Sequence, residues 1–395
     1  MLNYPIVLLK PGKEQSLLRF HPWVFSGAIK QLPTELEEGD FVEVRDSRNN
    51  FLGVGYFQIG SIQVRILSFE PVVIDQNFWT SRIQIAYEMR KAIGLIDNPL
   101  TNAYRLVHGE GDGLPGLIID MYEGTAVFQA HTVAMYRNKE NIVEALKSCY
   151  GHGVVAIYDK SEGTLPYKAD VTPENGYIYG KNSSKTAIEN GLKFQVDWEK
   201  GQKTGFFVDQ RDNRAFIEQY SKGRNVLNMF CYTGGFSFYA MRGGAEMVHS
   251  VDSSERAVEL TRKNVELNFP DDNRHEAFAM DAFKFLEGAK DKYDLIVLDP
   301  PAFAKHQHVL TNALQGYRRL NTKALEQIKP GGILFTFSCS QVVSRDIFRK
   351  TIFSAAAKAG RKVRILNQLS QPADHPINIY HPEGEYLKGL VLFVE

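Results

Sequence analysis

The sequence predicts an α/β protein whose C-terminal half is a Rossmann-like parallel sheet. Three segments support this prediction, and each is an apolar strand that ends in polar residues: VLNMFCYTGG at 226–235, VHSVD ending at Asp252, and DLIVLDPP at 294–301. Parallel sheets bind ligands at the carboxyl ends of their strands, so the segments predict one binding crevice. The segment FTFSCS at 335–340 places Cys339 at the end of a later strand, and therefore at the same edge.

Length and composition limit the class of protein. The chain has 395 residues, enough for two or three domains. Lysine plus arginine and aspartate plus glutamate both total 46, so any nucleic-acid contact has to come from a local patch and not from net charge. No apolar run has the length of a membrane span, and no signal-peptide pattern opens the chain. The three cysteines fit neither a disulfide framework nor a zinc site, which indicates a reducing cytoplasm.

Element patterns divide the chain into three parts. Residues 1–70 form a predicted all-β unit, because short β-rich runs alternate with turns. Residues 71–190 combine amphipathic helices at 78–94 and 138–148 with short strands, which predicts a central α+β domain. From residue 191 strands and helices alternate to the end, as in a doubly wound sheet. The predicted strands before that point are 6–9, 41–45, 51–56, 63–67, 104–108, 116–121, 125–131 and 154–158, and a short helix is predicted at 13–20.

The turn after the first C-terminal strand is the predicted cofactor site. Glycines there let the backbone approach a ligand, and the following helix offers free N–H groups. An acidic residue about twenty positions later can accept both ribose hydroxyls of a nucleoside. The turn is not G-x-G-x-x-G, which favours a methyl donor over a nicotinamide dinucleotide. The predicted binding residues are Asn228, Phe230, Tyr232, Thr233, Gly234, Asp252, Ser253, Asp281, Ala282 and Asp299.

Four motifs carry a family resemblance: KTGFFVDQRDNR at 203–214, VLNMFCYTGG, DPPAF at 299–303 and FTFSCS. Together they resemble the class I S-adenosylmethionine-dependent RNA methyltransferases, most closely the bacterial family that forms 5-methylcytosine in 23S ribosomal RNA. The resemblance covers essentially the whole chain. It implies a PUA-like RNA-binding β-barrel at 1–70, a central α+β domain at 71–190 and a class I methyltransferase domain at 191–395. It also implies S-adenosyl-L-methionine as the cofactor.

The 203–214 segment corresponds to a lid and cofactor-binding stretch in that family. The resemblance assigns Phe206 and Gln210 to the cofactor and leaves Asp209 and Arg211 open. The alternative is a surface β-hairpin whose aromatic residues plug into the core.

The DPPAF motif has two interpretations. In amino-methyltransferases such a loop accepts hydrogen bonds from an exocyclic amine, which is itself the nucleophile and needs no thiol. Carbon 5 of cytosine is different, because it becomes nucleophilic only after a group adds to carbon 6, and a cysteine thiolate does this well. Cys339 therefore favours the cytosine reaction. The alternative for Cys339 is a buried, inert thiol, against which its neighbours Ser338 and Ser340 argue.

The group that removes the carbon-5 proton is less well defined. A different group of RNA 5-methylcytosine enzymes carries a second cysteine after the proline of this loop, and the chain has none there. Asp299 and Glu383 are the predicted catalytic partners of Cys339, with Glu385 also considered and His375 less favoured. The alternative for both glutamates is a solvated hairpin near the last strand. Cys231 and Cys149 are predicted to be packing residues.

The predicted partner is RNA, with 23S ribosomal RNA as the implied target, no membrane and no metal; a homodimer is compatible with the sequence. The N-terminal cations are offset by acids, so the PUA resemblance and the aromatic residues Trp23 and Phe25 favour RNA more than charge does. A base to be modified has to leave the stack, and Phe303 or Phe207 could support it. The alternatives are an RNA guanine N-methyltransferase and a noncatalytic RNA-binding protein in ribosome assembly. The N-terminal cations that are predicted to contact RNA, and that acidic residues offset, are Lys10, Lys13, Arg19, Arg45, Arg48 and Arg65.

Overall fold

A computed structural model describes residues 3–166, 171–304 and 306–395. The chain forms two compact units, each built from more than one stretch of sequence. The first unit contains residues 1–188, 196–208 and 373–384, and the second contains residues 189–195, 209–372 and 385–395. The chain therefore returns to the first unit twice after leaving it.

The first unit begins with a six-stranded sheet whose order is β2-β6-β5-β4-β1-β3. Valines such as Val42, Val44 and Val54 point into its core and are fully buried. The four predicted strands are confirmed, whereas β2 and β3 were not predicted, because three residues are too few to establish an alternating pattern. The elements are β1 (Ile6–Leu9), α1 (Gln15–Leu18), β2 (Trp23–Phe25), β3 (Ile29–Gln31), β4 (Phe41–Arg45), β5 (Phe51–Phe57) and β6 (Ile62–Ser68).

A five-stranded sheet of order β11-β10-β9-β8-β7 follows in the same unit. Asp75 caps the N-terminus of its first helix, because its carboxylate accepts a hydrogen bond from the backbone N–H of Phe78 at 3.0 Å. Trp79 and Ile83 of that helix join the core of this sheet. Both predicted helices are confirmed. The elements are α2 (Gln76–Ala92), β7 (Ala103–His108), β8 (Leu117–Tyr122), β9 (Thr125–Ala130), α3 (Val133–Arg137), α4 (Lys139–Tyr150), β10 (Ala156–Asp159) and β11 (Gly176–Gly180).

The 373–384 segment is held in the first unit by Asp374. Its carboxylate accepts a hydrogen bond from the backbone N–H of Arg105 at 2.9 Å, and its carbonyl accepts one from the Arg90 guanidinium at 2.7 Å. Arg90 is fully buried and is paired with Asp112. Two further strands, β12 (Thr186–Glu189) and β13 (Leu192–Gln195), lie where the chain first passes to the second unit.

The second unit contains a seven-stranded sheet of order β16-β15-β14-β17-β18-β20-β19. Strands β14 to β18 are parallel, and β20 runs antiparallel between β18 and β19. The strands are β14 (Asn225–Met229), β15 (Met247–Asp252), β16 (His275–Ala279), β17 (Leu295–Leu298), β18 (Gly332–Ser338), β19 (Val363–Ser370) and β20 (Lys388–Val394). The helices are α5 (Arg211–Ser221), α6 (Gly235–Arg242), α7 (Glu255–Asn268), α8 (Ala282–Glu287), α9 (Leu310–Gln327) and α10 (Arg345–Ala359).

The strand order brings the predicted site together at one edge of this sheet. The residues of β17 and β18 are buried throughout, as expected for parallel strands covered on both faces. Because β15, β14, β17 and β18 are neighbours, Asp252, Asp299 and Cys339 follow adjacent carboxyl ends. The Rossmann-like prediction is confirmed. None of the helices in the described ranges combines the length and the apolar character that a membrane crossing needs.

Candidate active site

The turn between β14 and α6 has an unusual backbone. Phe230 and Tyr232 have φ angles of 59° and 47°, in the left-handed region that bulky residues rarely adopt. Gly234 has a φ of 86°, and a Cβ there would lie 2.6 Å from Phe238 and 2.7 Å from Thr261. Backbone strain of this kind concentrates at ligand sites. Glycine is required at position 234, because its positive φ is unfavourable for other residues and the Phe238 and Thr261 side chains leave no room for a Cβ.

Asp252 is oriented toward this turn. Its Oδ2 accepts a hydrogen bond from the backbone N–H of Tyr232 at 3.0 Å, and its Oδ1 accepts one from Ser254 at 2.9 Å. Asn228 is buried, and its Nδ2 donates to Ser237 at 2.9 Å. The Asn228 Oδ1 is buried and has no hydrogen-bond partner among the described residues. Buried acceptors normally have a hydrogen-bond donor, and a polar ligand bound in the turn could provide one.

The remaining predicted cofactor residues have mixed surroundings. Asp281 caps α8, because its Oδ1 accepts hydrogen bonds from Phe283 and Lys284 at 3.0 and 3.1 Å. Ala282 is buried at the start of that helix, and Ser253 is exposed after β15. Thr233 is buried, and its carbonyl accepts a hydrogen bond at 3.2 Å from a helix α7 side chain.

A buried ion pair packs against the turn at 230–235, the cofactor turn. Arg214 donates to both oxygens of Glu189, at 2.8 and 2.6 Å, and both side chains are nearly inaccessible to solvent. Tyr239 also donates to Glu189, at 2.9 Å. A Cβ on Gly235 would lie 2.6 Å from the Arg214 side chain, so the arginine packs directly against the turn. Sequence patterns did not identify this pair, since its members lie in separate motifs.

The 203–214 segment is not a β-hairpin: Val208–Gln210 is a 3-10 turn that leads into α5. Gln210 donates to the Asp299 carboxylate at 2.9 Å, and its own carbonyl accepts from Asn213 at 2.7 Å. Asp209 accepts from the Tyr386 hydroxyl at 2.7 Å. Gln210 is thus brought together with Asp299, which sequence reasoning had placed in the same site.

Phe206 belongs to the first unit, where it is buried and its carbonyl accepts a hydrogen bond from the Tyr122 hydroxyl at 3.3 Å. Phe207 is half-buried, and the Lys203 ammonium lies 4.9 Å from its ring centroid. Its role at a base remains a prediction.

Cys339 follows β18 and is flanked by two buried serines that make specific contacts. The Ser340 hydroxyl donates to the carbonyl of Ala304 at 2.9 Å and accepts from its backbone N–H at 3.2 Å. Ser338 donates to the Tyr317 hydroxyl at 3.0 Å. These bonds fasten the loop after Asp299 to the loop that carries the thiol. Tyr317 is a residue near the thiol that the sequence motifs did not reveal, whereas Ser340 belongs to the FTFSCS motif.

Two further residues contact the residues that surround Cys339. The ring centroid of Phe303 lies 4.6 Å from that of Tyr317. The aromatic residue of the DPPAF motif therefore packs against the tyrosine that is hydrogen-bonded to Ser338. Lys388, the first residue of β20, is buried, and its Nζ donates to the Ser340 carbonyl at 2.6 Å. The lysine was not among the predicted site residues.

The other two cysteines are poor nucleophiles. Cys231 is buried in the cofactor turn, and burial, reinforced by the neighbouring Asp252, raises the pKa of its thiol to about 12. Cys149 is half-buried on α4, and burial also raises its pKa. A thiol with a raised pKa is protonated near neutral pH and reacts slowly.

The predicted proton acceptors lie in different surroundings. Glu385 belongs to the second unit and forms an ion pair with Arg345. Glu383 belongs to the first unit, in a 3-10 turn, where its Oε2 lies 3.5 Å from the Nε2 of His21 and 3.7 Å from that of His381. His375 is buried beside Asp374 in the first unit. Asp299 and Glu385 therefore share a unit with Cys339, whereas Glu383 and His375 belong to the other unit.

The predicted RNA-binding cations are partly engaged within the first unit. Arg65 pairs with Glu110, which also accepts a hydrogen bond from the Trp23 indole at 2.8 Å. The Arg65 guanidinium lies 5.1 Å from the Trp23 ring centroid. Arg45 pairs with Glu43, whereas the Phe25 side chain is 47% exposed and offers a surface for stacking.

Replacing Asp252 tests the cofactor turn. Asp252→Ala is expected to lower the affinity for S-adenosylmethionine at least about tenfold, because a hydrogen bond to a charged group contributes roughly 1.5–3 kcal/mol. Calorimetric titration measures the affinity, and Glu259→Ala, an exposed change on the same unit, is the matched control. An affinity equal to that of the unmodified protein would remove Asp252 from the site.

Comparisons with known families agree with this geometry. The family described as S-adenosylmethionine-dependent methyltransferase matches residues 166–386, and the PUA-like domain family matches residues 7–69. A ribosomal RNA large subunit methyltransferase I from Aeromonas hydrophila subsp. hydrophila is 40% identical over 394 residues, covering 98% of each protein. Its counterpart from Tolumonas auensis is 41% identical over 394 residues, again covering 98% of each.

A solved structure has the same fold across the chain. SMU.776, a putative methyltransferase complexed with SAH, superposes with a TM-score of 0.85 at 25% identity, and covers 98% of this chain and 100% of that protein. The chain therefore belongs to the S-adenosylmethionine-dependent methyltransferase family, with a PUA-like N-terminal domain, in the group whose members are named ribosomal RNA large subunit methyltransferase I.

Proposed function

We propose that this protein methylates carbon 5 of a cytosine in large-subunit (23S) ribosomal RNA through a covalent Cys339 adduct. Similarity to the named large-subunit enzymes supports ribosomal RNA as the substrate, and the PUA-like domain supports RNA binding. The choice of cytosine rests on the thiol. We also propose that residues 1–70 act as the RNA-binding domain, 71–190 as a central domain and 191–395 as the catalytic domain of a cytoplasmic enzyme.

One observation supports the reaction type most strongly: Ser340 ties the loop beside Cys339 to the loop that follows Asp299. The two Ser340–Ala304 hydrogen bonds, at 2.9 and 3.2 Å, link the FTFSCS motif to the residue that follows the DPPAF motif. They support the proposal that the Cys339 thiol and the Asp299 carboxylate act in one site. An enzyme that methylates an exocyclic or ring nitrogen needs such a carboxylate but has no use for a nucleophilic thiol.

The cofactor turn fits a methyl donor. The strained backbone of the turn is typical of a ligand site, Asp252 supplies a carboxylate for ribose hydroxyls, and the Asn228 Oδ1 supplies an acceptor that has no partner among the described residues. Asp281 and Ala282 would flank the adenine side. When bound, S-adenosylmethionine supplies an electrophilic methyl group. The chain's own residues have to make carbon 5 nucleophilic enough to accept it.

Cys339 performs that activation in the proposed mechanism. Its thiolate forms a bond to carbon 6, and the carbon 5–carbon 6 π electrons shift into the ring and give carbon 5 nucleophilic character. After carbon 5 has been methylated, a base removes its proton, and the electron pair of that C–H bond rebuilds the double bond. As that double bond forms, the bond between sulfur and carbon 6 breaks, its electron pair stays on sulfur, and the thiolate is released.

Asp299 is the proposed carboxylate for orienting the cytosine amine and for accepting the carbon-5 proton, with Glu383 as the alternative acceptor. Gln210 holds one Asp299 oxygen at 2.9 Å, which fixes the direction of the carboxylate. Phe303 or, alternatively, Phe207 is the proposed stacking partner of the extruded base.

Nucleoside mass spectrometry tests the base assignment. We expect ribosomal RNA incubated with the protein and labelled cofactor to yield labelled 5-methylcytidine after digestion to nucleosides. Labelled N-methylguanosine would instead support the guanine N-methyltransferase alternative. Absence of any labelled nucleoside, with RNA binding retained, would support a noncatalytic role in ribosome assembly. The Cys339→Ala variant is the matched control in each reaction.

A further inference from the structure

A buried lysine lies beside the proposed nucleophile, and no step described above uses it. Lys388 pairs in register with Ser338, the residue before Cys339. Its Nζ donates at 2.6 Å to the carbonyl of Ser340, the residue after Cys339. The side chain of Lys388 therefore ends against the backbone segment that carries the thiol.

The burial of Lys388 is exceptional in this chain. It is 2% exposed, and within the described ranges it is the only lysine that is buried. Burial lowers the pKa of Lys388 to about 8, whereas the Cys339 thiolate and the Glu385 carboxylate act against that decrease. Below that pH the lysine carries its positive charge. A buried ammonium needs a nearby negative charge, and the thiolate can provide it.

We propose that the Lys388 ammonium stabilises the thiolate of Cys339 and so keeps the nucleophile ionised near neutral pH. This inference rests on the proposed function and deepens it, since it assigns the group that prepares the thiol for attack. The Sγ–H bond breaks with its electron pair left on sulfur, the proton passes to water, and Lys388 keeps its three protons. Lys388 acts through Cys339 and is therefore a positioning residue.

The described part of the chain places other charged or titratable residues near this pair, namely Tyr317, Arg345 and Glu385. Tyr317, from α9, stays neutral near neutral pH because burial raises its pKa. Arg345, at the start of α10, forms an ion pair with Glu385, so their charges offset each other. Among the described residues, no carboxylate lies within ion-pair distance of Lys388. Its charge is then available to the neighbouring sulfur.

The test measures the ionisation of Cys339 itself. The full-length protein is alkylated with iodoacetamide over a range of pH, and peptide mass spectrometry follows Cys339 and, as an internal control, Cys149. Lys388→Met removes the charge and keeps most of the side-chain length, while Lys388→Arg keeps the charge. We expect the midpoint for Cys339 to lie below the ordinary thiol value of about 8.5. In Lys388→Met it should rise by about one pH unit or more, in Lys388→Arg it should stay near the original value, and the Cys149 midpoint should not move.

Three results would overturn the proposal: an original midpoint at or above about 8.5, an unchanged midpoint in Lys388→Met, or equal shifts in both variants, which would indicate a structural role. The first needs no variant, so a misfolded Lys388→Met protein does not prevent the test. The method is independent of methylation. A low midpoint without 5-methylcytosine formation would refute the proposed function alone, whereas 5-methylcytosine formation with an unchanged midpoint in Lys388→Met would refute the lysine role alone.

Discussion

Cys339→Ala is expected to lose methylation of ribosomal RNA by at least about a thousandfold, the scale seen when a covalent nucleophile is removed. Without addition at carbon 6, carbon 5 of cytosine is too weak a nucleophile to accept a methyl group. Cys339→Ser should be nearly as inactive, because a hydroxyl is far less ionised than a thiol near neutral pH. Transfer of labelled methyl groups to RNA measures the loss.

Cys231→Ala is the matched control, since this second thiol lies in the same unit and burial raises its pKa to about 12. It should retain methylation whenever cofactor affinity is retained. Both variants should keep the thermal unfolding temperature within a few degrees. Full activity of Cys339→Ala would contradict the covalent mechanism and favour the guanine N-methyltransferase alternative.

Glu189→Leu is expected to destabilise the protein by about 3–5 kcal/mol, because it leaves the buried Arg214 guanidinium without its carboxylate. The two side chains are almost completely buried, so solvent cannot replace the lost interaction. Cofactor affinity should also fall, since Arg214 packs against Gly235 in the cofactor turn. Denaturant unfolding measures the stability, and calorimetry measures the affinity.

The double variant Glu189→Leu with Arg214→Met is the control for this prediction. Removing both charges leaves no uncompensated ion in the core, so the double variant should be more stable than Glu189→Leu alone. A loss below about 1 kcal/mol in Glu189→Leu, the scale of an exposed pair, would show that the arginine finds another partner or reaches water.

The fold was predictable where a local pattern reflects the sheet directly. Apolar strands that end in Asp252, Asp299 and Cys339 fix both the parallel sheet and the edge at which its ligands bind. The strand order then follows from known connection rules for such sheets. Strands β2 and β3 escaped prediction because three residues carry too little periodicity.

The contacts that complete the site were not predictable, because they join residues that are far apart in sequence. Lys388 is 48 positions from Ser340, and Ser340 is 36 positions from Ala304. No alternation or spacing links such pairs. Glu383 and Glu385 illustrate the opposite difficulty: they are two positions apart, yet they belong to different compact units. Adjacency in sequence therefore gave no information about which glutamate shares a unit with the thiol.

The most direct test of the covalent mechanism uses RNA that carries 5-fluorocytosine at the target position. After methyl transfer, carbon 5 of this base carries a fluorine and a methyl group but no hydrogen, so a base has no proton to remove. Elimination therefore stalls, and the protein stays attached to the RNA. We expect an adduct that resists denaturant, requires S-adenosylmethionine for its accumulation and maps by peptide mass spectrometry to Cys339. An adduct on another residue, or no adduct with RNA that is efficiently methylated when it carries ordinary cytosine, would contradict the mechanism.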